Sequence, residues 1–196
     1  MTTGTKAERA ARTRAALIEA ARTLFAERGF AVTSTEDVLA AAGVTRGALY
    51  HHFADKADLF AAVCDRLHGE AAAAIVAAVD GELARGGDPL DVLVAGCDAW
   101  IDNVARPQAR RILAVEAVTV LGLDRWTEMD RRHGAALLRA GVEEAQAAGL
   151  LTLLPAGDLT VLLNGAINHA VLAAAGEAEA TDRLKASLRV LLARLA

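Results

Sequence analysis

The sequence predicts an all-α protein, and two observations carry that prediction. Alanine and leucine dominate a chain of 196 residues in which aromatic residues make up 4% and prolines number three. Such a composition favours helices. After residue 88, apolar residues recur at helical intervals, and no stretch alternates apolar and polar residues as a half-buried strand would. We therefore expect nine helices and no sheet.

The chain begins with a predicted short arm and a long amphipathic helix. We expect residues 1–7 to be a disordered arm, as terminal residues often are. Over about residues 7–28, Leu17 and Phe25 share one face of a helix, and Gly29 is placed to end it. This helix is expected to support the elements that follow it.

Two short helices joined by a tight turn come next. Ser34 can cap the first helix in a pair with Asp37. Gly43 follows the last turn of that helix, where a left-handed residue needs no Cβ. Thr45 can cap the second helix, over residues 46–52. We interpret the pair as a helix-turn-helix, whose second helix exposes a small surface suited to the major groove of DNA.

The remainder of the chain is expected to form a long fourth helix and five more. The fourth covers about residues 56–83 with Asp55 as its cap, and the sequence GGDP at residues 86–89 marks the clearest break after it. The later helices are expected at about residues 89–105, 107–121, 124–148, 158–175 and 179–195. We call residues 1–55 the head and residues 56–196 the body.

The net charge of −4 conceals an asymmetry between the two ends of the chain. Residues 1–56 carry eight basic and six acidic side chains, whereas the remaining residues carry 13 basic and 19 acidic ones. An acidic protein with a basic N-terminal edge is poorly suited to coat nucleic acid in general. It suits a protein that offers DNA one limited face.

Neither a membrane span nor a disulfide is expected. No 18-residue apolar run is free of charges, which argues against a span. Cys64 and Cys97 lie inside apolar helical stretches without the spacing of a metal or redox motif. We favour two buried free thiols in a cytoplasmic protein over a disulfide between them.

The sequence predicts no enzyme, no metal site and no cofactor. It contains no GxSxG, no phosphate-binding glycine loop and no HExxH. His133 lies in a charged run, which favours a solvated helix face over a catalytic base. His68 has no second metal ligand four residues away.

The helix-turn-helix region carries a long pattern without gaps, TSTEDV at residues 33–38 and AGVTRGALYHHFADKADL at residues 42–59. This pattern resembles the N-terminal signature of TetR-type (tetracycline-repressor-like) transcriptional regulators. The resemblance implies a nine-helix fold that binds operator DNA in its head, a small-molecule effector in its body, and repression relieved by that effector. An activator, a ligand-independent repressor, or a helical interaction module without DNA binding remain alternatives.

The exposed positions of the helix-turn-helix give a candidate DNA-binding set. Its members are Ser34, Thr45, Arg46, Gly47, Ala48, Tyr50, His51 and Lys56. Ser34, Tyr50 and Lys56 are expected mainly to hold phosphates. Arg46 is placed to read a guanine, and the Ala48 methyl to meet a thymine methyl. Ala48 stands where the family commonly has Thr or Ser, so a hydroxyl contact is lost.

The resemblance also places a ligand pocket among the helices of the body. Polar residues interrupt the apolar run VLLNGAINHAVLAAA at residues 161–175, and pockets combine apolar walls with a few polar groups. The candidate lining residues are Trp100, Trp126, Met129 and Asn168. The alternative is that Asn164, Asn168 and His169 hydrogen-bond across a helix interface while the tryptophans are ordinary core residues.

The last two predicted helices are expected to form a homodimer. The final helix carries one apolar stripe, formed by Leu184, Leu188, Leu191, Leu192 and Leu195. The preceding helix offers small residues that allow close approach, namely Gly165, Ala166, Ala170, Ala173 and Ala174. Two such helices from each subunit would make a self-complementary four-helix interface, unless both only close the core of the monomer.

Overall fold

A computed structural model describes residues 5–196, and this part of the chain is helical, without a strand. The elements are α1 (Lys6–Arg28), α2 (Thr35–Ala42), α3 (Arg46–His52), α4 (Lys56–Ala84), α5 (Pro89–Ala105), α6 (Pro107–Ala109), a π-helical segment (Arg110–Glu116), α7 (Ala117–Leu121), α8 (Leu123–Arg132), α9 (Gly134–Ala147), α10 (Ala156–Ala173) and α11 (Ala178–Leu195). The all-α prediction is confirmed. The arm predicted for residues 1–7 lies mainly outside the described residues.

The small core of the head is formed by α1, α2, α3 and the first turns of α4. The rings of Phe25, Phe30 and Phe60 pack against one another with centroids 5.2–5.7 Å apart. Leu49 anchors α3 to this core and is fully buried. The first turns of α4 thus pack with the head, while its later turns lie in the body, so α4 runs through both parts.

The predicted helix caps of the head are present. The Ser34 hydroxyl accepts a hydrogen bond from the Asp37 backbone N–H at 3.1 Å, and the Asp37 carboxylate accepts one from the Ser34 N–H at 3.0 Å. Gly43 ends α2 in the left-handed region, with φ of 65°. Thr45 caps α3 through Ala48 N–H. These short-range bonds fix where each helix begins and how it meets the next.

The body is a helical bundle in which α5 is central. Helix α5 packs against α4, and both α9 and α10 pack against α5 and against each other. Helix α11 lies on α5 as well. Cys64 and Cys97 are buried free thiols in this bundle, as predicted. No helix within residues 5–196 combines the length and the apolar character needed to cross a membrane.

Two of the predicted body helices are interrupted. The helix predicted over 107–121 contains the π-helical segment, and the helix predicted over 124–148 breaks at His133, whose φ is −115° and ψ −93°. His133 Nε2 lies 3.0 Å from Asp65 on α4. A Cβ on the next residue, Gly134, would lie 2.9 Å from the Trp100 ring. Contacts with distant helices therefore set this break, and the periodicity of the sequence does not contain them.

Three leucines of the stripe predicted on α11 pack inward within the monomer, whereas Leu191 is exposed. Leu192 is fully buried, and Leu188 and Leu195 are half-buried against the core. Two ion pairs hold α11 on α5, Lys185 to Asp102 at 2.8 Å and Arg189 to Asp98 at 3.1 Å. Leu188, Leu192 and Leu195 therefore help to close the core of the monomer, and Leu191 stays available to a partner.

A different face of α10 and α11 is apolar and exposed. Val161 and Leu162 on α10 are 72% and 61% exposed, and Val190 and Leu191 on α11 are 62% and 48% exposed. The small residue Gly165 is also exposed on α10. This surface is defined by these five residues, and we call it the α10–α11 face.

Candidate functional site

Helix α3 presents one buried and one exposed face. Leu49 points into the head core, and five of the predicted DNA-binding residues stand on the exposed side. These five are Thr45, Arg46, Gly47, Tyr50 and His51. Ala48 is half-buried. An exposed helix face of this kind, held by a buried leucine behind it, can enter the major groove of DNA.

The Arg46 guanidinium is loosely held in the free protein. It lies 5.7 Å from the centre of the Tyr50 ring and 3.7 Å from Glu36 Oε1 on α2. Both contacts are exposed, and exposed ion pairs contribute little to stability. Arg46 is therefore available for an acceptor on DNA, at the small cost of leaving Glu36.

Two of the predicted phosphate contacts already have partners within the protein. The Ser34 hydroxyl donates to Asp37 Oδ2 at 2.7 Å, so its hydrogen is used in the cap. Lys56 Nζ donates to Phe30 O at 2.8 Å and to Thr33 O at 2.9 Å, and lies 4.2 Å from the centre of the Phe30 ring. Lys56 thus ties α4 to the link between α1 and α2, and one of its three N–H groups is left for DNA.

A second connection joins the body to the head, and it was not predicted from the sequence. Arg111 of the π-helical segment donates to Glu27 O at 3.0 Å at the end of α1. Glu116 of the same segment accepts from Phe30 N–H at 2.9 Å. Gly29 lies between them, and a Cβ there would come within 2.6 Å of Arg111 and 2.7 Å of Glu116. We call this set of contacts the joint.

The larger cavity of the body has a volume of about 460 Å³ and lies between α4, α5, α9 and α10. Its walls are mainly branched apolar side chains, among them Ile75, Val79, Leu93, Leu137, Leu138 and Ile167. Trp100 and Asn164 add an indole and an amide, and Glu144 is the charged residue among the described lining residues. Burial raises the pKa of the Cys97 thiol in this wall to about 12, so that group is uncharged at neutral pH.

A smaller cavity of about 190 Å³ lies beside it, and Trp100 lines both. Trp126 and Asn168, two further predicted ligand residues, line the smaller cavity. Met129 is buried in the core and is not among the lining residues of either cavity. The family resemblance suggested Met129 as a lining residue, but its side chain packs into the core.

A chain of hydrogen bonds runs past both cavities. Trp100 Nε1–H donates to Asn168 Oδ1 at 3.3 Å, Asn168 Nδ2–H to Asn164 Oδ1 at 3.5 Å, and Asn164 Nδ2–H to Asp130 Oδ2 at 2.6 Å. The amides therefore bond across helix interfaces, as the alternative interpretation of the sequence held. The same residues also line the cavities, so the two interpretations are compatible.

Buried polar atoms next to this chain lack partners. Both ring nitrogens of His68 and Oδ1 of Asp130 make no hydrogen bond to any described residue. Burial, together with the neighbouring His133, lowers the pKa of His68 to about 4. Burial also raises the pKa of Asp130. His68 stacks on Trp100 and His133 with ring centroids 5.5 and 5.6 Å away.

Comparison with known protein families decides the classification. A family described as "Bacterial regulatory proteins, tetR family" matches residues 17–63, and one described as "Tetracyclin repressor-like, C-terminal domain" matches residues 90–195. The chain belongs to the TetR family. The TetR-type resemblance found in the sequence is confirmed for both the head and the body.

Individual TetR relatives agree with this. The HTH-type transcriptional regulator TtgR of Pseudomonas putida is 52% identical over 61 residues, which are 31% of this chain and 29% of that protein. The chain thus matches less than a third of that relative's length. An HTH-type transcriptional repressor of Streptomyces coelicolor is 28% identical over 165 residues, covering 81% of this chain and 78% of that protein.

A solved TetR-family structure extends the similarity to the whole fold. The crystal structure of a TetR-family transcriptional regulator from Pectobacterium atrosepticum superposes with a TM-score of 0.77 at 32% identity. The match covers 98% of this chain and 97% of that one. Both the head and the body of the present protein therefore have counterparts in one solved regulator.

Proposed function

We propose that the protein is a homodimeric repressor that binds an inverted-repeat operator and leaves it when a small molecule occupies the body. The observation that carries the DNA-binding part is α3, whose Leu49 is fully buried while Arg46, Gly47, Tyr50 and His51 are exposed. Arg46 reads a guanine edge, and Tyr50 holds a phosphate. Lys56 adds a phosphate contact through its remaining N–H group.

The dimer forms through the α10–α11 face. The exposed valines and leucines of this face would be costly to leave in water on two adjacent helices, and burying them against a copy of themselves removes that cost. A two-fold axis makes such a patch self-complementary. It also sets two α3 helices on half-sites one helical turn, about 34–36 Å, apart. Light scattering at micromolar concentration tests this, and a monomeric mass contradicts it.

The effector is a largely apolar, uncharged molecule held in the larger cavity. A volume of about 460 Å³ is within the usual range for small-molecule sites. The apolar walls favour an apolar body. The Asn164 amide has a second N–H group for a polar contact, whereas the Trp100 N–H is already donated to Asn168. A ligand with its own negative charge is disfavoured, because Glu144 lies in the lining.

A ligand in the larger cavity changes the position of the head through two connections, α4 and the joint. Helix α4 supplies Ile75 and Val79 to the cavity wall, and its first residue, Lys56, holds the link beneath α2. The joint adds Arg111 and Glu116 at the end of α1. A small tilt of either connection changes the spacing of two heads that must fit both half-sites at once. The ligand must bind the displaced form more tightly than the operator-bound form, since equal affinity for both shifts nothing.

The proposal is tested by a screen followed by a titration. Small apolar and aromatic metabolites are screened by quenching of Trp100 and Trp126, the two tryptophans of the chain. A hit is then titrated into the complex of the protein with DNA from upstream of its own gene. Release of DNA supports the proposal, whereas a hit that binds and leaves DNA affinity unchanged favours a ligand-independent repressor. Loss of target transcription when the gene is deleted would indicate an activator.

A further inference from the structure

A cleft of about 430 Å³ lies where the head meets the body. Helix α1 of the head contributes Arg22 to one wall, and α4, α5, α6 and the π-helical segment form the other walls. None of the four predicted ligand residues of the body is among its described lining residues. Val104 and Leu113 line both this cleft and the smaller cavity, so they form a common wall. We call this space the α1–α6 cleft.

The guanidinium of Arg22 lies in the α1–α6 cleft with part of its hydrogen-bonding capacity unused. Its side chain is 23% exposed, and Nη1 donates to the two carboxylate oxygens of Glu70 at 2.9 and 3.1 Å. The Nε–H and both Nη2–H groups have no acceptor among the described residues. A guanidinium presents its donors as a planar fork that matches a carboxylate. Arg22 can therefore bind a second anion while it keeps its ion pair.

The other polar residues of the cleft add donors and positive charge. Glu70 is the acidic residue among the described lining residues, and Arg66 pairs with it as well as Arg22, at 3.3 Å. Arg106, the residue before α6, also lines the cleft, is exposed, and has no ion-pair partner within residues 5–196. The amide of Gln108 beside it is exposed too. Two arginines against one glutamate leave the lining with a net positive charge that favours an anion.

The apolar part of the lining indicates that the anion is organic. Four buried apolar residues line the cleft, namely Leu67, Ala71, Val104 and Leu113. An inorganic anion would leave this apolar surface in contact with water, whereas a hydrocarbon group would cover it. A volume of about 430 Å³ is within the usual range for small-molecule sites.

We propose that the α1–α6 cleft is a second ligand site and that it binds a small organic anion, a carboxylate on a compact hydrocarbon group. The carboxylate accepts hydrogen bonds from Arg22 and Arg106, and the hydrocarbon group covers the apolar part of the lining. This site goes beyond the proposed function, whose effector is uncharged and lies in the larger cavity. A ligand in the cleft contacts α1 of the head and α5 and α6 of the body at once.

Isothermal titration calorimetry on the full chain tests the site with two anions at pH 7, in a buffer free of phosphate and carboxylates. 3-Phenylpropanoate carries a carboxylate on a hydrocarbon group, and acetate carries the same carboxylate almost without one. We expect 3-phenylpropanoate to bind at least about tenfold more tightly than acetate, because it buries more apolar surface. The measurement needs no DNA, so its result is independent of the proposed repressor function.

Three variants locate the binding. Arg106→Gln and Arg22→Gln each remove one charged donor from the cleft, and we expect each to weaken binding of 3-phenylpropanoate by about tenfold. Arg139→Gln is the matched control, because Arg139 is an exposed arginine of α9 that pairs with Glu143 and lies outside the cleft. We expect it to leave the affinity unchanged. Thermal melting shows which variants are folded.

Each contrary result overturns the proposal. No heat from 3-phenylpropanoate with the unaltered chain would show that the cleft holds only water. Equal affinity for acetate would show that the apolar lining is not used. Unchanged affinity in folded Arg106→Gln or Arg22→Gln would place the anion elsewhere, and an equal loss in Arg139→Gln would show that only overall charge matters. If Arg22→Gln does not fold, the exposed Arg106 decides the location by itself.

Discussion

The head and the body satisfy their polar groups in different ways. In the head, the polar groups at helix ends bond to residues three positions away, as Ser34 does with Asp37 and Asp55 with Asp58. In the body, buried polar groups bond across 34 to 68 residues, as Asn164 does with Asp130 and Trp100 with Asn168. Some, such as His68, have no partner among the described residues.

This difference matches the functions that we propose for the two parts. Local caps give the head one fixed shape, which suits a surface that must match DNA without rearranging. The body instead contains the larger cavity, whose volume of about 460 Å³ is in the usual range for small-molecule sites. In the proposed function, the DNA-binding head is joined to the ligand-binding body through α4 and the joint.

The first prediction concerns Leu49, the buried residue that holds α3 against the core of the head. Leu49→Ala removes a fully buried side chain from α3, and we expect the free energy of unfolding to fall by about 2–5 kcal/mol. Chemical denaturation measures the loss. Tyr50→Ala is the matched control on the exposed side of α3, where we expect a change of about 0.5 kcal/mol or less. Equal effects of the two substitutions would show that α3 is not anchored through Leu49.

The second prediction concerns His68, a buried residue of the body whose ring nitrogens have no hydrogen-bond partner among the described residues. Burial lowers the pKa of His68 from an ordinary 6.5 to about 4. Between these values the unfolded chain binds a proton that the folded chain does not, so stability should fall as the pH drops through this window. We expect His68 to account for about 3 kcal/mol of that loss. Between pH 6.5 and 4, the denaturation midpoint of His68→Phe should change less with pH than that of the unaltered protein. The same pH dependence in both proteins would contradict the burial of a neutral His68.

The third prediction concerns the link between the parts. Lys56→Met removes an ammonium that bonds to Phe30 O and Thr33 O, and we expect a loss of about 1.5–3 kcal/mol in the free energy of unfolding. If the third N–H group also contacts a phosphate, the slope of log K for DNA binding against log salt concentration should become smaller in magnitude by about one. A smaller salt slope is our expectation. A slope that does not change would make Lys56 a purely structural residue.

The fourth prediction tests the reading surface itself. Arg46→Ala should weaken operator binding by about 1–3 kcal/mol and relax the preference for one base in each half-site. Fluorescence anisotropy on operator variants measures both effects. Arg131→Ala, which removes an exposed arginine on α8 paired with Glu128, is the matched control and should leave DNA binding unchanged. If Arg46→Ala lowers affinity for all DNA alike, Arg46 contacts a phosphate instead of a base.

The head was predicted from the sequence more completely than the body. The caps at Ser34, Thr45 and Asp55 and the left-handed turn at Gly43 were predictable, because each depends on residues within four positions. The break at His133 was not predictable, because it depends on contacts with distant helices. Of the four predicted ligand residues, Trp100 lines the larger cavity, whereas Trp100, Trp126 and Asn168 line the smaller one.

Two further features lay beyond the sequence for the same reason. The acceptors of Lys56 are backbone carbonyls 23 and 26 residues away, and the joint pairs residues more than 80 positions apart. Leu188, Leu192 and Leu195 of α11 pack within the monomer, and the sequence could not show this because an apolar stripe does not specify the element it packs against. Sequence patterns show which positions are apolar or polar, whereas the residues that these positions contact depend on tertiary packing.

We propose that a ligand in the body lowers the affinity of the head for DNA. The most direct measurement is the dissociation constant of the protein for DNA upstream of its own gene, taken without and with a saturating ligand from the screen. We expect the ligand to raise that constant by about 5–150-fold, and operator DNA to weaken ligand binding by the same factor. A ligand that saturates the larger cavity and leaves the constant unchanged would contradict the account.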